Sequence, residues 1–341
     1  MNVLLLDAPG LECDNFVSGM AAGKLCHMPA WTNMVEKVFG HQGFFLVART
    51  NGVIEGVLPL TKIRSRLFGN RMISQPFSDY GGPLAKTPAA LNALYNCAVE
   101  LTAQQRCESM ELRSTVPIHH DLHLRTDKIS MCLPLAPASK QVWQCLRPQI
   151  RNRIRKGEKS GIMVTNGHRE MLEEFYRIWT IRMHQLGTPC YARKLFRGIM
   201  ETFAENTRIF LALLNGATIA VLFAYTFNGC VYTRWGAALR GYDAISPNYL
   251  LNWSAIDFYC KQGMKWFDFG RSTIGSGQYI FKKRWGAEPI QLCWQYWTRP
   301  NRELHLAKPD APRYRKKVEV WRKLPLWLTR LVGPRISRSL P

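Results

Sequence analysis

Asp268, Arg271, Lys282, Lys283 and Arg284 fall within one short stretch, residues 267–287, together with Gly270, Gly275 and Gly277. Cations gathered this closely can hold a phosphate or another anion. Glycines between them let a backbone come close to a ligand. Phe267 to Phe269 reads as the end of a buried strand, with Asp268 as its one polar break. A strand running into a glycine-bearing loop beside convergent cations suits a ligand site on a sheet. A surface hairpin with solvated lysines fits the same residue types, and these types alone do not separate the two readings.

Two other clusters carry reactive side chains. His119, His120, Asp121 and His123 are metal-binding types, but they lack a fourth ligand at a usual spacing, so a polar loop without metal is expected. Cys190 and His184 offer a thiol and a base with no third group to orient them, which favours a packed thiol over a nucleophile. Trp235, Trp285, Trp294 and Trp297 lie beside strand-like runs and read as core or pocket lining rather than base-stacking platforms.

The elements that position these residues must come from a chain of 341 residues, long enough for two domains with separate cores. A hydrophobic content of 47% with 11 Trp excludes a disordered chain. Lys and Arg number 46 against 24 Asp and Glu, so the net charge of +22 calls for an anionic partner: nucleic acid, an anionic membrane surface or a phosphorylated substrate. The 10 Cys are scattered with no CxxC pair, which argues against a zinc framework or disulfide scaffold and for reduced thiols in a cytosolic protein. Met1 to Gly10 has an early Asp7 and no basic start, so no signal peptide is expected. Residues 209–233 carry no charge and are long enough to span a membrane as a helix. Asn215-Gly216 interrupts them between β-prone runs, so the spacing predicts a hairpin of two buried strands instead.

That hairpin has a twin. Phe45 to Leu60, turning at Asn51-Gly52, parallels Phe210 to Tyr225, turning at Asn215-Gly216. A helix-like stretch follows each, residues 88–105 and 247–262, and then a short strand with an acid ahead of Arg-Ser: Glu111, Arg113, Ser114 and Asp268, Arg271, Ser272. Agreement of hairpin, helix and strand in the same order predicts two copies of one α/β unit. The expected organisation is a first domain over 1–145, a second over 146–300 and a basic tail over 301–341. At the seam, Arg147, Arg151, Arg153, Arg155, Lys156 and Lys159 are opposed only by Glu158, and Arg151 and Arg155 share a helix face. With the charge at 282–284, this suggests an anion-binding groove between the domains. In the tail, Trp321, Leu324, Trp327, Leu328 and Leu331 alternate with Arg322, Lys323 and Arg330, around a Pro325 that must kink or restart a helix. A helix lying in a membrane interface and one docked on its own domain both fit.

A duplicated α/β unit with a central hairpin and a basic joining segment resembles the tandem acetyltransferase-like (GNAT-like) fold of the FemABX family. The run Arg151 to Val164 resembles the Arg-rich helix and strand that open that family's second domain, and Phe281, Lys282, Lys283 and Gly286 resemble its C-terminal Phe-Lys…Gly motif. Leu58 to Leu60, Pro76 to Gly82, Leu186 to Pro189, Ser246 to Asn248, Phe267 to Thr273 and the end from Leu324 to Pro334 look closer to FemAB-like proteins encoded with exosortase/PEP-CTERM export systems.

The resemblance implies a transferase that moves an aminoacyl or acyl group to an amine or hydroxyl of a cell-envelope precursor, related to peptidoglycan or exopolysaccharide. It implies Lys282 and Lys283 near the donor's reacting end with Asp268 as positioner. Arg271, Ser272, Tyr279, Asn248, Asp79, Tyr80, Arg151 and Arg155 would then contact substrate, with no metal and no tightly bound cofactor. The donor stays open between aminoacyl-tRNA and acyl-CoA. Residues 239–248 and 78–84 lack the Gly-rich pyrophosphate loop of ordinary GNAT enzymes, which counts against acetyl-CoA. Copy one has no Phe-Lys-Lys sequel, so chemistry is expected on copy two, with exposed lysines whose loss would spare the fold. Two alternatives stand: an acyl-CoA-dependent N-acyltransferase, and a catalytically silent, membrane-associated binding protein of an envelope export system. The expected location is the cytoplasm, with peripheral contact at the inner membrane face.

Overall fold

The computed structural model describes residues 1–65, 69–300, 304 and 312–339. They form two compact units, drawn from Met1–Ile129, Ile290–Leu306 and Ser339–Pro341 for the first, and from Ser130–Pro289 and Ala307–Arg338 for the second.

The first unit runs through β1 (Asn2–Leu5), α1 (Leu11–Gly19), α2 (Pro29–Phe39), β2 (Gln42–Thr50), β3 (Val53–Ser65), β4 (Gly69–Ile73), β5 (Leu84–Ala85), α3 (Pro88–Gln104), β6 (Ser109–Ser114) and β7 (His123–Arg125). The second opens with β8 (Lys128–Pro134), α4 (Ser139–Cys145) and α5 (Pro148–Lys159). It continues through β9 (Met163–Gly167), α6 (Leu172–Leu186), α7 (Arg193–Thr202), β10 (Thr207–Leu214), β11 (Ala217–Phe227), β12 (Cys230–Ala238), α8 (Pro247–Lys261), β13 (Trp266–Thr273), α9 (Gly277–Arg284) and β14 (Glu288–Gln291). The chain then returns β15 (Cys293–Thr298) to the first sheet and adds α10 (Pro312–Lys323) and α11 (Leu326–Ser337) to the second unit. The sheet orders are β1-β2-β3-β4-β6-β15-β7, with β5 on β3, and β14-β8-β13-β12-β11-β10-β9.

The two copies agree in detail. Asn51 and Gly52 have φ of 50° and 83°, and Asn215 and Gly216 have 49° and 79°, the left-handed pair that a two-residue turn with the right twist requires. Both hairpins carry a register shift at the same distance from the turn, between Ala48 and Arg49 and between Ala212 and Leu213. In the first unit Ala90, Leu94, Ala98 and Leu101 of α3 pack on Phe44, Leu46, Leu58 and Leu60. In the second, Phe210 of β10 meets Phe258 and Tyr259 of α8, while Phe223 of β11 meets Phe175 of α6 and Phe196 of α7. Helices on both faces explain why residues 209–233 are apolar without alternation. Among the described residues, no helix is long and apolar enough to cross a membrane.

The domain boundaries differ from those expected. Residues 130–145 belong to the second unit and 290–300 to the first, because β8 and β15 each join the sheet of the other copy, which hydrophobic pattern does not encode. The tail is no separate segment either. Its helices restart at Pro325 and dock on α6 and the loop after it. Arg330 Nε donates to Thr180 Oγ1 at 3.0 Å, Ser337 Oγ donates to the Cys190 carbonyl at 2.9 Å, and His184 Nε2 meets the Leu324 carbonyl at 2.8 Å. Residues 301–303, 305–311 and 340–341 of the expected tail lie outside the described residues.

Gly216 has open space where a Cβ would sit, so Gly216→Ala isolates backbone strain at φ +79°. The substitution is expected to lower unfolding free energy by about 1 kcal/mol, read from the urea midpoint. A second expectation concerns pH. Buried His27 accepts the Lys24 N–H on Nδ1 and meets the Gly82 carbonyl through Nε2, and burial holds its pKa down to about 4. The unfolded chain therefore binds the extra proton first on acidification. Stability from this group is fully present above about pH 6.5 and falls, by roughly 3 kcal/mol, as pH drops through about 4. His27→Gln should flatten that slope in urea unfolding measured across this range.

Candidate active site

The site residues of the second unit gather where two central strands part. β12 and β13 run parallel, paired only at Cys230–Trp266, Val231–Phe267 and Tyr232–Asp268. Next, Thr233 Oγ1 donates to the Asp268 carbonyl, at 3.1 Å. Gly270 then takes φ +76° and passes so near β12 that a Cβ would lie 3.1 Å from Arg234 Cβ. Beyond it β12 continues to Ala238 and β13 to Thr273 with no pairing between them among the described residues.

Strand ends that separate inside a protein leave backbone groups needing partners. Asp268 and Lys282 supply them. Asp268 Oδ1 accepts from Gly270 N at 2.7 Å and from Ser130 Oγ of β8 at 2.6 Å. Lys282 Nζ donates to the carbonyls of Gly270 and Arg271, at 2.7 and 3.1 Å. Carboxylate and ammonium thus grip the two polar atoms of one glycine.

The stretch after β13 is a helix, not a hairpin. Ser276 caps α9 by accepting Tyr279 N at 3.2 Å, and the last turn carries Lys282, Lys283 and Arg284. This corrects the expectation of two exposed lysines: Lys282 is 8% exposed, whereas Lys283 is in solvent. Tyr279 is half-buried, with Lys283 Nζ 5.7 Å from its ring centroid. Ser272 is buried, and its Oγ has no hydrogen-bond partner among the described residues.

A second group collects at the start of α8, following β12. Ser246 has φ 60° and Pro247 opens the helix. Gly157 brings α5 close, since a Cβ there would lie 3.0 Å from Leu250 Cβ, and Arg153 Nη1 reaches Ser246 Oγ at 3.4 Å. Burial and then the charge of Arg240 hold the Arg182 guanidinium below its usual range, with Asp243 opposing. Arg153 thus stands at the positive end of a 15-residue helix, Arg240 lies in the loop leading to it, and Arg182 is within electrostatic reach of Arg240 and Asp243, a set of charges that suits an anion. Sequence reading missed Arg182 and Arg240 as site residues. They are far apart in the chain, and only a glycine pattern was sought at 239–248. Of the expected residues, Asn248 lies in the first turn of α8 and Arg151 and Arg155 on α5, Arg155 with its guanidinium 5.5 Å from the Trp143 ring centroid.

The first unit treats the same position differently. β4 and β6 run parallel as far as Ile73–Glu111. Residues 74–82 then fold back over β6: Ser74 Oγ accepts Arg113 N at 2.8 Å, and Gly82 N donates to the Arg113 carbonyl at 2.7 Å. The Arg113 guanidinium, buried, donates to Glu111 and to the carbonyls of Gln75 and Ser78, and lies 4.4 Å from the Trp294 ring centroid. Asp79 and Tyr80, expected to line a groove, are buried in this plug. Cys190 is also buried, which raises its thiol pKa, and His184 is turned to Leu324, so the two form no nucleophile pair.

Residues 145–283 match the family model described as acetyltransferase (GNAT) domain. The second unit is GNAT-like in fold. Solved structures extend the likeness over both units, and at these identities they show the fold. FemX aligns with 87% of this chain and 97% of its own at 15% identity and a TM-score of 0.68. A tandem GNAT protein from the clavulanic acid biosynthesis pathway aligns over 89% and 99% at 12% identity, TM-score 0.56. The C-terminal domain of a putative lysylphosphatidylglycerol synthetase from Agrobacterium fabrum aligns over 84% and 90% at 10%, TM-score 0.55. A search of curated protein sequences finds no match. The architecture is two tandem GNAT-like units.

Because Lys282 satisfies two carbonyls where β13 leaves β12, Lys282→Ala is expected to cost about 2–4 kcal/mol in unfolding free energy. Lys283→Ala should leave the urea midpoint within error. Equal midpoints for the two variants would show that the grip on Gly270 is unimportant to the fold.

Proposed function

We propose that this chain is an acyltransferase whose GNAT domain binds an activated acyl donor and whose acceptor is an amine or hydroxyl of a cell-envelope precursor. The parting of β12 from β13 beside the arginine-flanked start of α8 carries this reading. Every second residue of a strand turns its N–H and C=O to one side, so β12 past Tyr232 offers amides to an acyl carbonyl. Arg153, Arg182 and Arg240 would take the donor's phosphates. Loop 239–246 has a single glycine, Gly241, so phosphate contacts fall on guanidinium groups rather than on a nest of amides. This favours the 3′ end of an aminoacyl-tRNA over acyl-CoA.

In the reaction the acceptor lone pair attacks the ester or thioester carbonyl, and a tetrahedral oxyanion forms. It collapses as the bond to the leaving oxygen or sulfur breaks, and the acceptor's proton ends on that leaving atom. Holding the two substrates together supplies much of the rate without a strong protein base. Lys282 and Asp268 act as positioning residues through Gly270. Arg271, Ser272, Tyr279, Asn248 and Lys283 stand around the site as substrate contacts. The plug over β6 argues that copy one does not bind donor.

Arg182→Ala and Arg240→Ala should each raise the donor KM about tenfold, a loss of about 1.4 kcal/mol, in a transfer assay with purified protein. An unchanged KM in both would move the donor elsewhere. Mass spectrometry of peptidoglycan and envelope glycans from cells with and without the protein should show one acyl or aminoacyl group lost.

Location is part of the same proposal. Val320, Trp327 and Leu331 on the outer side of the docked tail are 59%, 66% and 52% exposed, among Lys323, Arg335 and Arg338. Such a face suits loose attachment to an anionic leaflet, at about 1 kcal/mol per cation near the surface. Trp327→Ser with Leu331→Ser should reduce flotation with anionic vesicles at least severalfold, and added salt should release the parent protein. Equal flotation of parent and double variant would refute the attachment.

A further inference from the structure

In the first unit, one turn brings together side chains of a different chemistry. Among the described residues, His119, His120 and Asp121 form the one group of three potential metal ligands, with ligand atoms all within 4.8 Å of one another. Asp121 Oδ2 lies 3.6 Å from His119 Nδ1, and Oδ1 lies 3.2 Å from His120 Nε2. Around a tetrahedral zinc with bonds of about 2.0–2.1 Å, neighbouring ligand atoms sit roughly 3.3 Å apart. Each imidazole nitrogen is near that distance from one oxygen of the Asp121 carboxylate, His119 from Oδ2 and His120 from Oδ1. The His120 side chain, 85% exposed, is free to rotate to close the separation between the two imidazoles.

The turn is held in place before any ion arrives. Gln295, 2% exposed on β15, accepts the amides of Ile118 and His119 on Oε1 and donates through Nε2 to the His119 carbonyl at 2.6 Å. The His119 ring stacks on Tyr95 at 4.4 Å, and His120 stacks on His119 at 4.5 Å. His119 Nδ1 accepts the Asp121 amide at 3.3 Å, so this nitrogen is the unprotonated one, as a ligating nitrogen must be. That bond is long and weak, a poor rival to a cation. Spacing argued against metal for want of a fourth ligand. An open site with three protein ligands does not need one, since water or an anion completes the shell.

We propose that His119, His120 and Asp121 bind one divalent cation of borderline character, such as Zn²⁺, with a coordination position left open to water or an anion. Imidazole nitrogens beside a single carboxylate favour such an ion over Mg²⁺ or Ca²⁺. Calorimetric titration of the full-length, chelator-treated protein with ZnCl₂ tests this. A Cys145→Ser background removes the exposed thiol that could compete. One ion per chain is expected, with affinity lowered at least about tenfold in His120→Ala and in Asp121→Asn. Both positions are solvent-facing, and a far-UV spectrum matching the parent confirms that each variant is folded. A parallel titration with MgCl₂ should give no comparable heat. Uptake that survives unchanged in both variants, or no saturable Zn²⁺ uptake by the parent, would overturn the proposal.

Discussion

The grip of Asp268 and Lys282 on Gly270 is the constraint around which the second unit is arranged. A parallel sheet that opens partway along leaves peptide groups facing no strand, and a buried unpaired peptide group costs about as much as a lost hydrogen bond. Here a carboxylate takes the amide and an ammonium takes two carbonyls, so the separation is held by charged partners. The demands spread outward. Ser130 must reach the carboxylate, so β8 must lie beside β13. α9 must begin at Ser276 for its last turn to return Lys282 to the strand. Gly270 must lack a side chain, because Arg234 occupies the space.

Duplication produced two copies of one topology with two solutions to the same problem. In the first unit the chain fills its own opening. Ser74 and Gly82 take the polar groups of Arg113, and the Arg113 guanidinium is buried against Trp294 and the carbonyls of Gln75 and Ser78. Gly82 is required for this closure, since a Cβ there would sit 2.8 Å from the Arg113 carbonyl oxygen. Gln75 and Phe77 are held at positive φ, which side-chain-bearing residues seldom adopt. The first opening is filled by its own chain, and the second is held by a carboxylate and an ammonium.

The net charge of +22 is distributed unevenly in its consequences. Arg113 and Lys282 serve the interior, Arg330 and Arg322 tie the tail to α6, and Arg153 stands at the start of α8, with Arg182 and Arg240 in electrostatic reach of each other near the loop before it. Only the last group combines crowded positive charge with a helix dipole of the same sign.

Much of this was legible in the residue order. Asn51-Gly52 and Asn215-Gly216 dictate hairpins because few other dipeptides adopt two left-handed residues in succession, and the repeat around them predicted both units, α3 and α8 to within a residue at their ends, and the Asp268 strand. These are local properties, set by backbone sterics and apolar period. Which sheet β8 and β15 join is not local, since a strand's own pattern does not say which edge it pairs with. Nor could the residue order show that Lys282 turns inward while Lys283 faces water. That follows from the start of α9 at its Ser276 cap and from two carbonyls beyond a strand pairing that stops at Asp268. Arg153, Arg182 and Arg240 have nothing in common along the chain. Folding alone brings them near one another, because α5 packs on α8 and α6 packs on β12, the strand that leads into Arg240.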